Sequence, residues 1–352
     1  MTYEIGTADG YTDLLERLKD FISDPARVIG DHADMDELAA IDDDVASGES
    51  SQAWTIDKWT DGRDSAGAGE IELFAHGPGT SGVDEIYTWI DTYSSIGDDY
   101  YNWRMAAMTG YSSGVDISLQ PGVTQGRLPR MLMWENPIPY WFLGNGRRYV
   151  VVAKISSVYE CLYQGFALPY GLPTQFPYPM VVGGSACPSS TVANHRYSSV
   201  ATDHRGFPNP YGDGDGVIVQ GTFDVVAYEA TLKVMQGTSW IKMQGRSGVS
   251  LYDDNNVWPY ICQEIINTYS PDGIFSNLLR ENIDGSYPVF PLIPMMNNPN
   301  NHIFGELQGC FAVPGYGGLA AEDTLTINGE TYIVFPIVAN ASRGDFWCIK
   351  KE

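Results

Sequence analysis

Gly110-Tyr111-Ser112-Ser113-Gly114 has the G-x-S-x-G spacing of a hydrolase nucleophile elbow, in which a serine sits on a strained turn between a core strand and a helix. Downstream, Val115-Asp116-Ile117-Ser118-Leu119 alternates as a strand does, so Ser112 is expected in a plain Gly/Ser turn. His195 and His204 stand near Asp203 and Asp213, residue types that serve in a Ser/His/Asp relay or a metal site. Their surroundings read as loop, and ordinary surface histidines are the expectation. Asp213-Gly214-Asp215-Gly216 puts two carboxylates on a flexible stretch, the hard oxygen ligands that calcium takes. Counting from Asp213, Ile218 occupies the turn-glycine position of a helix–loop–helix calcium site and Asp224 the bidentate-Glu position, so a polar turn is expected instead.

A chain with 44 acidic residues has room for the carboxyl pair of a glycoside hydrolase, but the required separation is a property of the fold, and no pair stands out. The sequence has no P-loop, dinucleotide fingerprint or HExxH, and no cofactor or metal is expected. Tyr100, Tyr101, Trp103 and Tyr111 fall close together and offer a stacking face for carbohydrate or protein; core packing of strands is the plainer reading. Cys161, Cys187, Cys262, Cys310 and Cys348 form no C-x-x-C pair, so buried free thiols are expected rather than a zinc site or a closed disulfide framework.

Whatever these residues do, the elements that position them are mostly strands. The chain has 352 residues, 38 of them Gly and 21 Pro, with helical periodicity in few places, which predicts a mainly β fold of sandwich or barrel-like lobes. A short N-terminal helix and a few minor helices are expected, making the fold α+β at most. Three regions are anticipated: residues 1–69 as helix and acidic arm, 70–202 as a β-rich lobe, and 203–352 as a second β-rich lobe.

Tyr11, Leu14, Leu15, Leu18, Phe21 and Ile22 recur at helical spacing, predicting an amphipathic helix over 8–23 capped by Asp9 or Thr7. Residues 24–69 turn acidic and small, as in Asp42-Asp43-Asp44, and read as a loop or arm in which Trp54 and Trp59 mark a short strand packing on the main body. From Glu70 the period becomes two. Asn145-Gly146, between Ile138–Leu143 and Arg147–Ile155, predicts a hairpin with a type I′ turn, and Val150-Val151-Val152 a strand covered on both faces. Pro169, Pro173, Pro177 and Pro179 among Tyr170, Phe176 and Tyr178 predict an ordered extended loop. Strands are expected again at 217–219, 223–234, 287–294, 324–327, 331–338 and 346–349, the pair around Asn328-Gly329 as a hairpin, with a second helix over 259–269.

Lys and Arg number 20 against the 44 acids, a formal charge of −24, so the protein's own field opposes nucleic acid and anionic membrane surfaces. No basic, apolar leader opens the sequence and no apolar run reaches membrane-spanning length, so a soluble protein made in the cytoplasm is expected.

Three stretches resemble a family of uncharacterised virion and tail-associated structural proteins of tailed phages and prophages. They are Met1-Thr2-Tyr3-Glu4-Ile5-Gly6-Thr7-Ala8; Asn145-Gly146-Arg147-Arg148-Tyr149-Val150-Val151-Val152-Ala153-Lys154 with Leu168-Pro169-Tyr170 and Tyr178-Pro179 through Val182-Gly183-Gly184-Ser185; and Gly305-Glu306-Leu307-Gln308-Gly309 through Val313-Pro314-Gly315 and Ala321-Glu322-Asp323. The acidic arm is longer than that family leads one to expect. The resemblance implies a place in the phage particle, assembled in the host cytoplasm, in the tail, tail tip, baseplate or collar. It implies no catalytic residues. Partners would be other virion proteins and copies of the chain itself, a ring included, with Trp54, Trp59, Pro169, Tyr170, Phe176, Tyr178 and Pro179 as expected interface residues. A receptor- or carbohydrate-binding module of the tail and a hydrolase of cell-surface polymer are the alternatives.

Overall fold

The structure, a computed structural model, describes residues 2–24, 53–63, 69–79, 86–123, 128–169, 179–184, 197, 212–218, 241–245, 256–259, 287–292, 294–297, 301–303, 305–314, 318–336 and 345–351. The fold is mainly β. Strands, numbered in chain order, form three large sheets. A five-stranded antiparallel meander holds β2 (Thr55–Asp61), β3 (Ile71–Gly77), β4 (Ile86–Ser95), β5 (Tyr100–Met108) and β6 (Arg130–Met133) in sequence order. A ten-stranded sheet begins with β1 (Thr2–Ala8), β7 (Ile138–Asn145), β8 (Arg148–Ile155), β9 (Val158–Phe166) and β11 (Met180–Gly183). It continues through β12 (Gly212–Ile218), β13 (Ile241–Gly245), β14 (Asn256–Pro259), β16 (Pro294–Asn297) and β17 (Asn301–Ile303). The third sheet has the order β15 (Phe290–Pro291), β19 (Cys310–Pro314), β22 (Asp345–Lys350), β21 (Glu330–Pro336), β20 (Thr324–Ile327). A two-residue ladder joins β10 (Leu168–Pro169) to β18 (Gly305–Glu306).

The sheets stack, because the middle one is apolar on both faces. Tyr149, Val151 and Ala153 of β8 share a core with the inner face of the meander and with the helix α1 (Tyr11–Ser23), while Val150 and Val152 share another with Ala312, Phe335 and Trp347 of the third sheet. This is the both-faces burial that the run of three valines predicted. Val158 to Phe166 and Ile138 to Asn145 follow the same rule, so sheet, sheet and sheet form layers held by hydrophobic burial.

The amphipathic helix is where its stripe put it, with Leu14, Leu15, Leu18 and Phe21 fully buried. Its cap differs from the expectation. Thr7 belongs to β1, and the chain turns into the helix at Gly10 with φ 89, a conformation glycine reaches without strain. Asp13 reaches back to accept the Asp9 N–H at 2.7 Å, satisfying a backbone donor just ahead of the helix.

Other expectations are corrected. Within the 24–69 region, the short strand expected at Trp54 and Trp59 is β2 of the meander, while residues 25–52 lie outside the described part. Asn145-Gly146 does mark the β7–β8 hairpin, but not through the two positive φ angles of a type I′ turn. The Asn145 side-chain oxygen accepts the N–H of Arg147 at 2.9 Å and of Arg148 at 3.2 Å, a local substitute for turn geometry. At Asn328 (φ 53) and Gly329 (φ 87) the expected type I′ pattern is present. Val115–Leu119 is not strand-like but ends in a 3-10 turn, Ile117–Leu119, because Asp116 accepts both the N–H (2.9 Å) and the hydroxyl (2.7 Å) of Ser118. Asp213–Gly216 lies within strand β12 rather than in a turn. The helix expected over 259–269 and the strand over 223–234 lie outside the described residues, apart from Pro259 in β14.

Candidate functional site

The residues that sequence reasoning offered for chemistry are not brought together. Ser112 sits in a turn closed by Gln120, whose side-chain oxygen accepts the Ser112 N–H at 2.7 Å and whose amide donates to the Ser112 carbonyl at 3.0 Å. No helix opens from it, as a nucleophile elbow requires. His195, His204 and Asp203 lie outside the described residues, and of Asp213 and Asp215 only the backbone is described. Among the described residues no cluster of His, Cys, Asp and Glu is arranged to hold a metal ion.

The aromatic group 100–111 is split between two faces, Tyr100, Tyr101 and Trp103 by their alternation along β5 and Tyr111, beyond the end of that strand, by packing on Phe74. Tyr101 and Trp103 turn inward, and the Trp103 indole donates to the Tyr11 carbonyl at 2.9 Å, joining meander to helix; Tyr100 and Tyr111 turn outward. A single stacking face containing all four is thereby excluded. Cys161, Cys310 and Cys348 are buried free thiols, and burial raises all three, Cys310 to about 12. Such thiols are inert at neutral pH. Cys187 and Cys262 lie outside the described residues.

Of the expected interface residues, Trp54 has no surface to offer. It is buried against Tyr149, ring centroids 5.1 Å apart, and donates to the Asn145 carbonyl at 2.8 Å. A buried indole N–H needs such a partner, and the hairpin turn supplies it. Trp59 is half-buried under the Lys19 ammonium, 4.6 Å from its ring. Both pack on the main body, as one reading of the sequence had it. Pro169 pairs with Gly305 in the small ladder, and the Pro179 carbonyl accepts the Ala167 N–H at 2.8 Å; Tyr170, Phe176 and Tyr178 lie outside the described residues.

Two features stand out that the sequence did not reveal. On the outer face of the meander, register lines up Glu72, Asp91, Arg104 and Arg130 across four strands. Arg104 grips Asp91 through Nε (2.9 Å to Oδ1) and Nη2, Lys58 pairs with Glu72, and the Trp89 indole donates to Glu72 at 3.0 Å. The Arg104 and Arg130 guanidinium carbons lie 5.2 and 5.7 Å from the Tyr93 ring, so one phenol is flanked by two cations. The only local signal was an acid in an otherwise apolar strand, Ile90-Asp91-Thr92; its partners depend on register, which no single strand encodes.

Burial pushes the Asp91 carboxyl up to about 6, outweighing its bonds from Arg104. An acid raised on folding binds its proton more tightly in the folded state, so its contribution to stability is complete below the unfolded value and fades as pH rises through about 6. The expected outcome is that Asp91→Asn, compared with the parent in urea melts, gains relative stability on going from pH 4 to pH 7.5, by roughly 2–3 kcal/mol for a shift of this size. Equal differences at the two pH values would contradict it.

The second feature is a clasp between the middle and third layers. Glu322, at φ 70, accepts from Lys154 Nζ and the Tyr159 hydroxyl at 2.5 Å each, while the Asn145 amide donates to Gln308 at 3.2 Å. The partners lie 163 to 168 residues apart in sequence, and each bond joins the β7–β9 hairpins to the segment that carries the third sheet. These contacts fix one layer to the next. No protein-family model matches the chain, and no curated protein matches it.

Proposed function

We propose that this chain is a structural component of a tailed-phage virion, in the tail, tail tip, baseplate or collar, acting by assembly with copies of itself and with other virion proteins. One observation carries the reading beyond resemblance. The three stretches on which the resemblance rests meet in space: residues 2–8 are β1, paired along its length with β7; residues 145–154 are the adjoining turn and β8; and Leu168-Pro169 pairs with Gly305-Glu306. Gln308 and Glu322 then bind Asn145 and Lys154. The segments of likeness thus make up the scaffold itself and its interlayer bonds, which supports a part whose role is shape and contact.

The acidity of the chain fits a protein displayed in many copies and kept soluble until it meets its partners. The test is a nonsense mutation in the reading frame within a phage that encodes it. The expected result is that particles made without the chain are defective in tail assembly and regain infectivity when it is supplied in trans. Normal, infectious particles from the nonsense mutant would overturn the proposal and promote the free binding module or the enzyme.

A further inference from the structure

Each sheet ends in two edge strands, whose unpaired backbone groups are a template for further pairing unless something blocks them. Five of the six edges of the large sheets carry a block. β17 has three residues, β15 two including Pro291, and β20 four. β6 has four residues and bears Arg130, and β2 carries Lys58 and a register irregularity between Ile56 and Lys58. β1 bears a single charge, Glu4, and is otherwise without these devices. It runs for seven residues in unbroken register with β7, without Pro, Lys or bulge, and pairs with no other strand among the described residues. On it Ile5 is 52% exposed, one of three large apolar side chains so placed among the described residues, the other two lying outside the strands.

We infer that the β1 edge is the site at which a second copy of this chain pairs, β1 against β1 and antiparallel about a two-fold axis at Ile5. Self-complementarity favours this occupant. Centred there, Ile5 meets Ile5, Tyr3 meets Thr7, and Glu4 meets Gly6, so the strand's one charge falls opposite a residue without a side chain. Glu4 is in addition turned to the helix side, where it accepts from the Tyr140 hydroxyl at 2.8 Å, and Gly6 leaves room for that same phenol, whose hydroxyl oxygen a Cβ would approach to 2.4 Å. Ile5 lies on the face of Tyr3, beside Trp141, so the paired isoleucines extend the core between the middle and third layers. The ten-stranded sheet would become continuous through the pair.

Charge supplies an independent sign. Two copies at −24 repel, and salt screens that repulsion, so pairing strengthens as salt rises, the reverse of an interface held by ion pairs. The inference deepens the assembly reading and rests on it only in that assembly brings copies together.

The test uses the whole chain in analytical ultracentrifugation, with thiol bridging as the register probe. The wild type is expected to dimerise, more strongly with added NaCl, and Ile5→Lys to weaken association at least ~10-fold by setting lysine opposite lysine while leaving the circular dichroism unchanged. Ile5→Cys should bridge efficiently to its symmetry mate under a short bifunctional thiol reagent. Thr7→Cys should not, since two-fold pairing sets the two Thr7 positions about 14 Å apart along the strands. A wild type monomeric at all concentrations and salts overturns the inference, as does an oligomer that Ile5→Lys leaves intact or in which Thr7→Cys bridges as readily as Ile5→Cys. If Ile5→Lys fails to fold, the two cysteine variants decide. Presence of the chain in particles without β1 pairing would sink this inference and leave the virion reading standing; pairing without presence in particles would do the reverse.

Discussion

Gly165→Ala is expected to abolish the folded state or to cost more than about 4 kcal/mol, against a total stability of about 5–15 kcal/mol for a typical domain. Gly165 lies in β9 at the heart of the middle sheet, opposite Arg148 on one side and Val181 on the other. Its φ of 134 is one that side chains rarely adopt, and a Cβ there would stand 2.3 Å from the Arg147 carbonyl oxygen and from Arg148 Cα. Those neighbours are backbone, fixed in turn by the Phe166 N–H donating to the same Arg147 carbonyl at 2.9 Å. Nothing flexible can give way. Gly114→Ala provides the contrast: its φ is 76 with open space around it, so only the left-handed conformation is penalised, about 1–2 kcal/mol. Urea melts of the two variants beside the parent measure both. Equal midpoints for Gly165→Ala and the parent would show that β8 and β9 do not approach as described.

The second large effect is at Trp103. Its indole is fully buried between the meander and the helix, among Tyr11, Tyr101 and Met105, and its N–H is the partner of the Tyr11 carbonyl. Trp103→Ala is expected to cost about 3–5 kcal/mol through the cavity and the lost bond together. Trp103→Phe keeps much of the volume and leaves the carbonyl without this donor, so about 1–3 kcal/mol is expected. The sequence offered Trp103 as part of a stacking face for carbohydrate. The burial changes how such an experiment is read: loss of glycan binding on Trp103→Ala would report unfolding, and a melt in the same buffer separates the two. A Trp103→Ala variant as stable as the parent would contradict its place in the core.

What was legible in the sequence was local. The α1 stripe, the valine run of β8, the two Asn-Gly hairpins and the buried thiols all follow from spacing or residue type within a few positions. What was missed depends on neighbours distant in the chain. The row Glu72, Asp91, Arg104 and Arg130 exists only because the meander's hairpins set one register, and a slip of one residue in β5 would turn Arg104 inward and Trp103 outward. That Trp54 belongs to a strand packed on the main body was legible, but its partner, the carbonyl of Asn145 at the hairpin turn, is 91 residues away and appears only in the fold. Likewise, nothing local marks β1 as an edge strand. Its lack of protection is visible only once the order of strands is known, because an edge is a property of the sheet.

The claim on which the rest depends is that the chain is built into the phage particle as a repeated part. Quantitative mass spectrometry of purified particles, with chemical cross-linking before digestion, tests it most directly. The account predicts the chain at several copies per particle, in fixed ratio to the major tail protein and cross-linked to tail components. Purified, infectious particles that contain none of it would contradict the account.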